Sequence, residues 1–281
     1  MVQFEIYLLD FVGIKQFLGN IIHLITRLTT KEIAVSPNDA KQFLAKSLEV
    51  KLQIENWAGK DAFEVISLGQ NCNSSWYIKA AGLKRASFPF DWIYTTAPII
   101  SDILKDDFKN LLDRKFIIPH GMDAGHELYH ETLFGHRNPV KSDSDYAYYE
   151  RCVERWREKM RQQAPIVFVT IVLNELEKRP RFKKGFIKQI PFPGNQTFSD
   201  FEGMMNTILD SNPNCKFLFI EQYTEFPFHL EVEHQTKNAL WVRFDAIGKN
   251  TGVRYVSEID EAVILNLFSG LDYSADQSNL G

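Results

Sequence analysis

The sequence predicts an α/β fold, a mostly parallel sheet with helices on both faces, preceded by an N-terminal helical arm. Three observations carry this reading. Apolar runs rich in Val, Ile and Phe at 63–68, 165–173, 216–220 and 240–244 have the length and composition of buried strands. Stretches with apolar residues at helical spacing separate most of these runs. Connections of that length favour parallel pairing, because a parallel neighbour is reached only by a crossover and a crossover has room for a helix.

Taken in order, residues 1–60 read as an arm of one or two helices. Phe4 to Leu28 is rich in Ile, Leu and Phe, but Asp10, Lys15, Gln16, Asn20 and His23 interrupt it. Charges inside a spanning helix cost several kcal/mol, so an amphipathic helix is expected in place of a membrane span. Such a helix packs on its own domain by default, and contact with another protein or a membrane surface is the alternative. Ser36-Pro-Asn-Asp39 is an N-cap signature for a helix from about Ala40 to Leu48.

The α/β domain is placed at 61–273. Strand Phe63 to Leu68 meets a turn at Gly69, and Asn73 to Leu83 carries apolar residues at helical spacing, closed by Gly82. A helix is expected over 98–112, then a long functional loop over 113–144 that holds four of the seven histidines, His120, His126, His130 and His136. Helix Ser144 to Gln163 leads into the strand Pro165 to Leu173. Helix Ser199 to Leu209, strands Lys216 to Ile220 and Leu240 to Phe244, and helix Ile259 to Phe268 complete the domain. The polar tail, 274–281, is expected to fray.

Composition narrows the function. A chain of 281 residues with 44% hydrophobic content is long enough for a full core. A net charge of −4 gives no footprint for nucleic acid, and the basic run Lys178 to Lys184 is too local to reverse it. Three cysteines, Cys72, Cys152 and Cys215, are too few and too odd for a disulfide framework, and no signal peptide is evident, so a reducing, cytoplasmic setting is expected.

The most informative segment is Ile66-Ser-Leu-Gly-Gln-Asn-Cys72-Asn-Ser-Ser-Trp76, which places a cysteine where a strand hands over to a helix. Helix N-termini favour anions, so a thiol there is expected to ionise easily and act as a nucleophile; the plain alternative is a small cysteine packed under the turn. The following block, Leu83-Lys-Arg85-Ala-Ser87-Phe-Pro-Phe-Asp91-Trp92-Ile93, together with Ser-Leu-Gly-x-Asn-Cys, resembles a bacterial family of unknown function described as papain-like cysteine peptidases. The resemblance continues through Leu133-Phe-Gly-His136-Arg-Asn138-Pro139, Tyr149 to Trp156 and Ile166 to Val169, and covers roughly 63–225. The family strand usually ends in arginine where this chain has Thr170. The resemblance implies peptidase chemistry, with Cys72 as nucleophile and His136 as base. A papain-like fold would pack the nucleophile's helix against an antiparallel, barrel-like sheet, whereas the alternation of elements here predicts a parallel one.

A thiol hydrolase also needs an orienting group and oxyanion donors. Asp91 and Asn174 are the candidates for orienting the imidazole, Asp91 by its place in the block and Asn174 by its place at the carboxyl end of a strand, where parallel sheets open to ligands. Asp91 alternatively caps a turn. Backbone N–H groups at Cys72 and Asn73 are donor candidates, with the Asn71 side chain preferred over Gln70. Arg85 is placed to bind a substrate carboxylate or phosphate, or to pair with Asp91, and Trp92 to line the substrate site or the core. Ser75 reads as a helix-cap hydroxyl. His126 and His130 have helical metal-ligand spacing, but the zinc-protease pattern fails and no metal is expected. No Gly-rich phosphate loop is present, so no cofactor is expected.

The leading reading is a cysteine hydrolase or acyltransferase acting on a peptide or related acyl bond, with Cys72 reacting faster than Cys152 or Cys215. The alternatives are a carbohydrate-modifying α/β enzyme, glycosyltransferase-like or esterase-like, and a non-catalytic binding or scaffold protein. Substrate and oligomeric state are not encoded legibly.

Overall fold

A computed structural model describes residues 35–61, 63–186 and 195–272. The arm's apolar stretch, Phe4 to Leu28, and the tail from Ser274 lie outside the described residues. Five strands form the main sheet: β1 (Glu64–Ser67), β4 (Ile166–Leu173), β5 (Cys215–Thr224), β7 (Ala239–Ala246) and β6 (His229–Gln235), in that spatial order. The first four are parallel to one another and β6 runs antiparallel along the outer edge of β7. Strands β2 (Ile117–His120) and β3 (Asp123–His126) form a separate antiparallel hairpin.

Alternation along each buried strand sorts side chains to two faces, and each face acquires its own core. Phe168, Val172, Phe217, Phe219 and Trp241 point one way, under α3 (Ala97–Lys105), α4 (Asp143–Arg161) and α5 (Phe198–Ser211). Val167, Val169, Ile171, Leu218, Ile220, Leu240 and Val242 point the other way, under α1 (Pro37–Ala58), α2 (Cys72–Ala80) and α6 (Glu258–Ser269). The parallel strands are added in one direction across the sheet, so crossovers of one hand put α4 and α5 on the same face. The expected α/β architecture, mostly parallel with helices on both faces, is the one observed.

Several elements differ from expectation in extent. Ser36 caps α1 as predicted, its side chain accepting from Asp39 N, but the helix runs on to Ala58. Val50, Ile54 and Trp57 extend its apolar face into the core, and Lys216 Nζ donates to the carbonyls of Trp57 and Ala58 at its end. The helix foreseen over 98–112 breaks at Asp107 and Phe108, both at positive φ, into α3 and a short turn at Lys109–Leu112. The 113–144 stretch is not an irregular loop throughout, since the β2–β3 hairpin occupies its first third. Edge strand β6 was not foreseen. Among the described residues, no helix is long and apolar enough to cross a membrane.

Candidate active site

Strand β1 ends at Ser67 while its neighbour β4 runs on to Leu173, and this mismatch explains the polar residues that follow β1. The N–H groups of Ile171 and Leu173 have no strand partner on that side. Ile171 N donates to Ser74 Oγ (2.8 Å) and Leu173 N to Gln70 Oε1 (2.7 Å), so two side chains finish the hydrogen bonding of the sheet. Gln70 takes a positive φ of 28° to do so. Gly69 (φ 79°) has no room for a Cβ, which would collide with Thr95 Oγ1 and lie 3.1 Å from the Phe90 carbonyl. Thr95 N donates to Gln70 O, and Thr95 Oγ1 to Leu68 O. The Ser-Leu-Gly-Gln-Asn-Cys and Ser-Phe-Pro-Phe-Asp-Trp blocks are thus stitched directly together.

This support sets Cys72 at the first residue of α2, directly after the cap Asn71, whose Oδ1 accepts from Asn73 N (2.9 Å). The Cys72 thiol is partly exposed and its Sγ lies 2.8 Å from His136 Nε2. The helix N-terminus alone predicts an easily ionised thiol; burial instead pushes Cys72 up to about 11. Burial therefore works against a standing thiolate at Cys72, whose Sγ faces a His136 ring nitrogen at hydrogen-bond distance. Cys152 and Cys215 are fully buried, and burial raises both of them too, Cys215 to about 12.

His136 stands on an exposed loop held at two points. Asn138 Nδ2 donates to the carbonyls of Met122 and Asp123 in the β2–β3 turn, while its Oδ1 accepts from Val140 N and Lys141 N. Asp145, in the first turn of α4, accepts from Arg137 Nη1 (2.9 Å) and Asn138 N (3.0 Å). Trp92 meets the His136 ring edge-on, centroids 5.8 Å apart. The other histidines of the stretch differ. His126 and His130 are fully buried and each bonds backbone through both ring nitrogens, His126 to Asn110 O and Leu128 N, His130 to Phe182 O and Thr132 N. Both are structural.

Among the described residues, neither expected orienting residue hydrogen-bonds His136. Asp91 is buried, bonded to Lys84 Nζ and to Phe88 N (2.8 Å), so it neutralises Lys84 and ties the 88–91 turn; burial raises its pKa against the pull of that lysine. Asn174 is buried in a separate cluster at the carboxyl ends of β4 and β5, donating to Gln196 O and to Glu221, and accepting from Gln196 N. Both are drawn away by stronger local partners. Asn71 caps α2 through Oδ1 and leaves Nδ2 without a hydrogen bond among the described residues. Gln70 spends its amide on Leu173 N and Gln196. Ser75 Oγ accepts from Lys84 Nζ (3.1 Å) and is not a cap.

Against His136 opens a cleft of about 500 Å³ that brings Arg85 and Trp92 together with Lys79, Lys84, Arg137 and Tyr148. Lys79, Asn138 and Asp145 were missed by sequence reasoning. Asn138 alone left a signal, as the Asn-Pro after the histidine.

A family model described as "Putative papain-like cysteine peptidase" matches residues 63–140, a stretch that contains Cys72, the 83–93 block and His136. The similarity ends at Val140, so Tyr149 to Trp156 and Ile166 to Val169 lie beyond it. No curated protein and no solved structure matches the chain. The papain-like label does not extend to the architecture, because this site stands on a mostly parallel sheet.

Proposed function

We propose that the protein is a thiol-dependent acyl hydrolase or acyltransferase, peptidase-like in chemistry, with Cys72 as nucleophile and His136 as base. The 2.8 Å contact between Cys72 Sγ and His136 Nε2 carries the reading. As Sγ attacks a carbonyl carbon, its proton passes to Nε2 and the carbonyl oxygen becomes an oxyanion beside the α2 N-terminus and Asn71 Nδ2. Collapse breaks the bond to the leaving group, which takes the proton from Nε2, and leaves a thioester on Cys72. Water, or another acceptor, then attacks the thioester with His136 again as base. Because the thiol is pushed up to about 11 in the resting state, His136 acts during attack and does not hold a standing thiolate. Trp92 packs edge-on against the ring and limits its orientations.

The test is acylation of Cys72 by p-nitrophenyl acetate, followed by peptide mass mapping. His136→Ala is expected to slow it about 100-fold or more, with the fold intact. Comparison with Cys152 and Cys215 is not diagnostic alone, since both are buried and slow for that reason. Acylation that is insensitive to His136→Ala would sink the proposal.

A further inference from the structure

Arg179 belongs to the basic run Lys178 to Lys184, yet it is half-buried and makes no ion pair among the described residues, whereas Lys178 pairs with Glu175. Its Nη1 donates to Asn250 O (2.7 Å), in the segment that joins β7 to α6. The Asn250 side chain holds Gln222, near the end of β5: Nδ2 donates to Gln222 Oε1 (3.1 Å), and Tyr255 Oη donates to the same oxygen (2.5 Å). Two donors on Oε1 fix which way the Gln222 amide points, because a flipped amide would set its NH2 against them. Nε2 is thereby held as a donor, and it has no acceptor among the described residues although Gln222 is only 2% exposed. One residue, Asn250, thus steadies a cation without a counter-ion and a buried donor without an acceptor. Leaving such groups unmatched is costly, and a ligand rich in acceptors would satisfy both.

The place is tied to the nucleophile by two routes. Gln222 pairs in register with Leu173, whose N–H donates to the Gln70 side chain two residues before Cys72. Tyr255 N donates to Tyr77 Oη (2.9 Å) on α2, and Asn73, four residues before Tyr77, shares its helix face. Asn73 follows Cys72 directly and is fully buried, with neither amide atom bonded among the described residues. Two neighbouring carboxylates are already engaged. Glu175 accepts from Thr224 N, Thr224 Oγ1 and Lys178, and Glu261 accepts from Tyr255 N and Tyr77 Oη.

We infer that Arg179 and Gln222 form a carboxylate-binding subsite at the carboxyl edge of the sheet, and that the acyl compound processed at Cys72 carries this carboxylate. The second half rests on the acyl-transfer reading, whereas carboxylate binding at Arg179 does not. The guanidinium fork matches a planar carboxylate, and Gln222 Nε2 supplies a further donor. Asn73 offers a donor and an acceptor to the chain that joins the carboxylate to the reacting carbonyl.

Two esters of equal length test this, mono-p-nitrophenyl adipate, which carries a carboxylate, and neutral p-nitrophenyl hexanoate. With each, Sγ attacks the ester carbonyl, the ester C–O bond breaks, p-nitrophenolate leaves, and the thiol proton passes through His136 to solvent, leaving a thioester. Mass mapping of Cys72 is expected to show a preference for the adipate ester about tenfold above that of N-acetylcysteinamide, and Arg179→Gln should abolish the excess. Gln222→Glu keeps an oxygen for Tyr255 and Asn250 but puts a carboxylate oxygen in place of the donor, and should abolish it too. The urea midpoint reports that each variant is folded. Adipate titrated calorimetrically into the full chain should bind, and Arg179→Gln should weaken it at least about tenfold. Tighter binding of inorganic phosphate than of adipate would overturn the carboxylate assignment. A preference equal to that of the free thiol, or unchanged in Arg179→Gln, overturns the inference. If His136→Ala leaves acylation unchanged while adipate still binds through Arg179, the acyl chemistry fails and the carboxylate site stands.

Discussion

Nucleophile and base rest on supports of opposite kind. Cys72 follows a buried strand, and around it the buried side chains of Gln70 and Ser74 are tied to the β4 backbone while Gly69 packs too tightly against the 90–95 segment to admit a Cβ. His136 sits on an exposed loop whose position depends on two side chains, Asn138 and Asp145. The contrast teaches that the site's geometry has a fixed half, coupled to global stability, and an adjustable half, coupled to local order.

Substitutions can break or sharpen this comparison. Gly69→Ala should have the largest effect, at least about 3 kcal/mol of lost stability from a positive φ and a clash with Thr95, which thermal unfolding would show as a fall of roughly 10 °C. A stable Gly69→Ala protein would remove the claim of rigidity.

Next is acid. Burial lowers His126 to about 4, so between pH 6.5 and 4 the unfolded chain binds a proton that the folded chain refuses. Stability should therefore drop as pH falls through this window, by on the order of 3 kcal/mol for this group. Asp260, raised by burial to about 6, works the other way over nearly all of this window, because the folded chain takes up its proton first. The urea midpoint at pH 4.5 minus that at pH 7 should be higher in His126→Gln than in the unsubstituted protein, since Asp260 contributes alike to both. Equal acid sensitivity in both would exclude His126 as the group responsible.

Ser74→Ala leaves Ile171 N buried without an acceptor and should cost about 1–3 kcal/mol, read as a shift in urea midpoint. Asn138→Ala is expected to have the smallest effect on stability, about 1 kcal/mol, yet to slow His136-dependent acylation of Cys72 several-fold. Should Asn138→Ala unfold the protein as readily as Gly69→Ala, the two halves are not different in kind.

The strand-to-helix position of Cys72 was legible because local signals agree there: an apolar run, a glycine, then helical spacing. The hairpin at 117–126 looks like loop in the sequence, although Gly121 at a two-residue turn is a hairpin signal, because Pro119 and the clustered histidines obscure it. Strand β6 carries Leu230 and Val232 in alternation with Glu231 and Glu233, a half-buried pattern masked by its polar composition. The roles of Asp91 and Asn174 were not legible in principle. Aspartate and asparagine at such positions suit orientation of a base, but Lys84 and the Gln196–Glu221 cluster claim them through contacts made only in the folded chain. Lys79 looked like an ordinary surface lysine, because its relation to Arg85 and Arg137 is three-dimensional.

The use of Gln70 and Ser74 to complete the sheet has a consequence for evolvability. Positions beside the nucleophile cannot drift toward new substrates without unpairing Ile171 or Leu173, whereas Lys79, in the last turn of α2 and on the cleft wall, contributes to no strand. Diversification among descendants of such a chain is channelled to the cleft wall, where charge and size can change while the reacting pair stays in place.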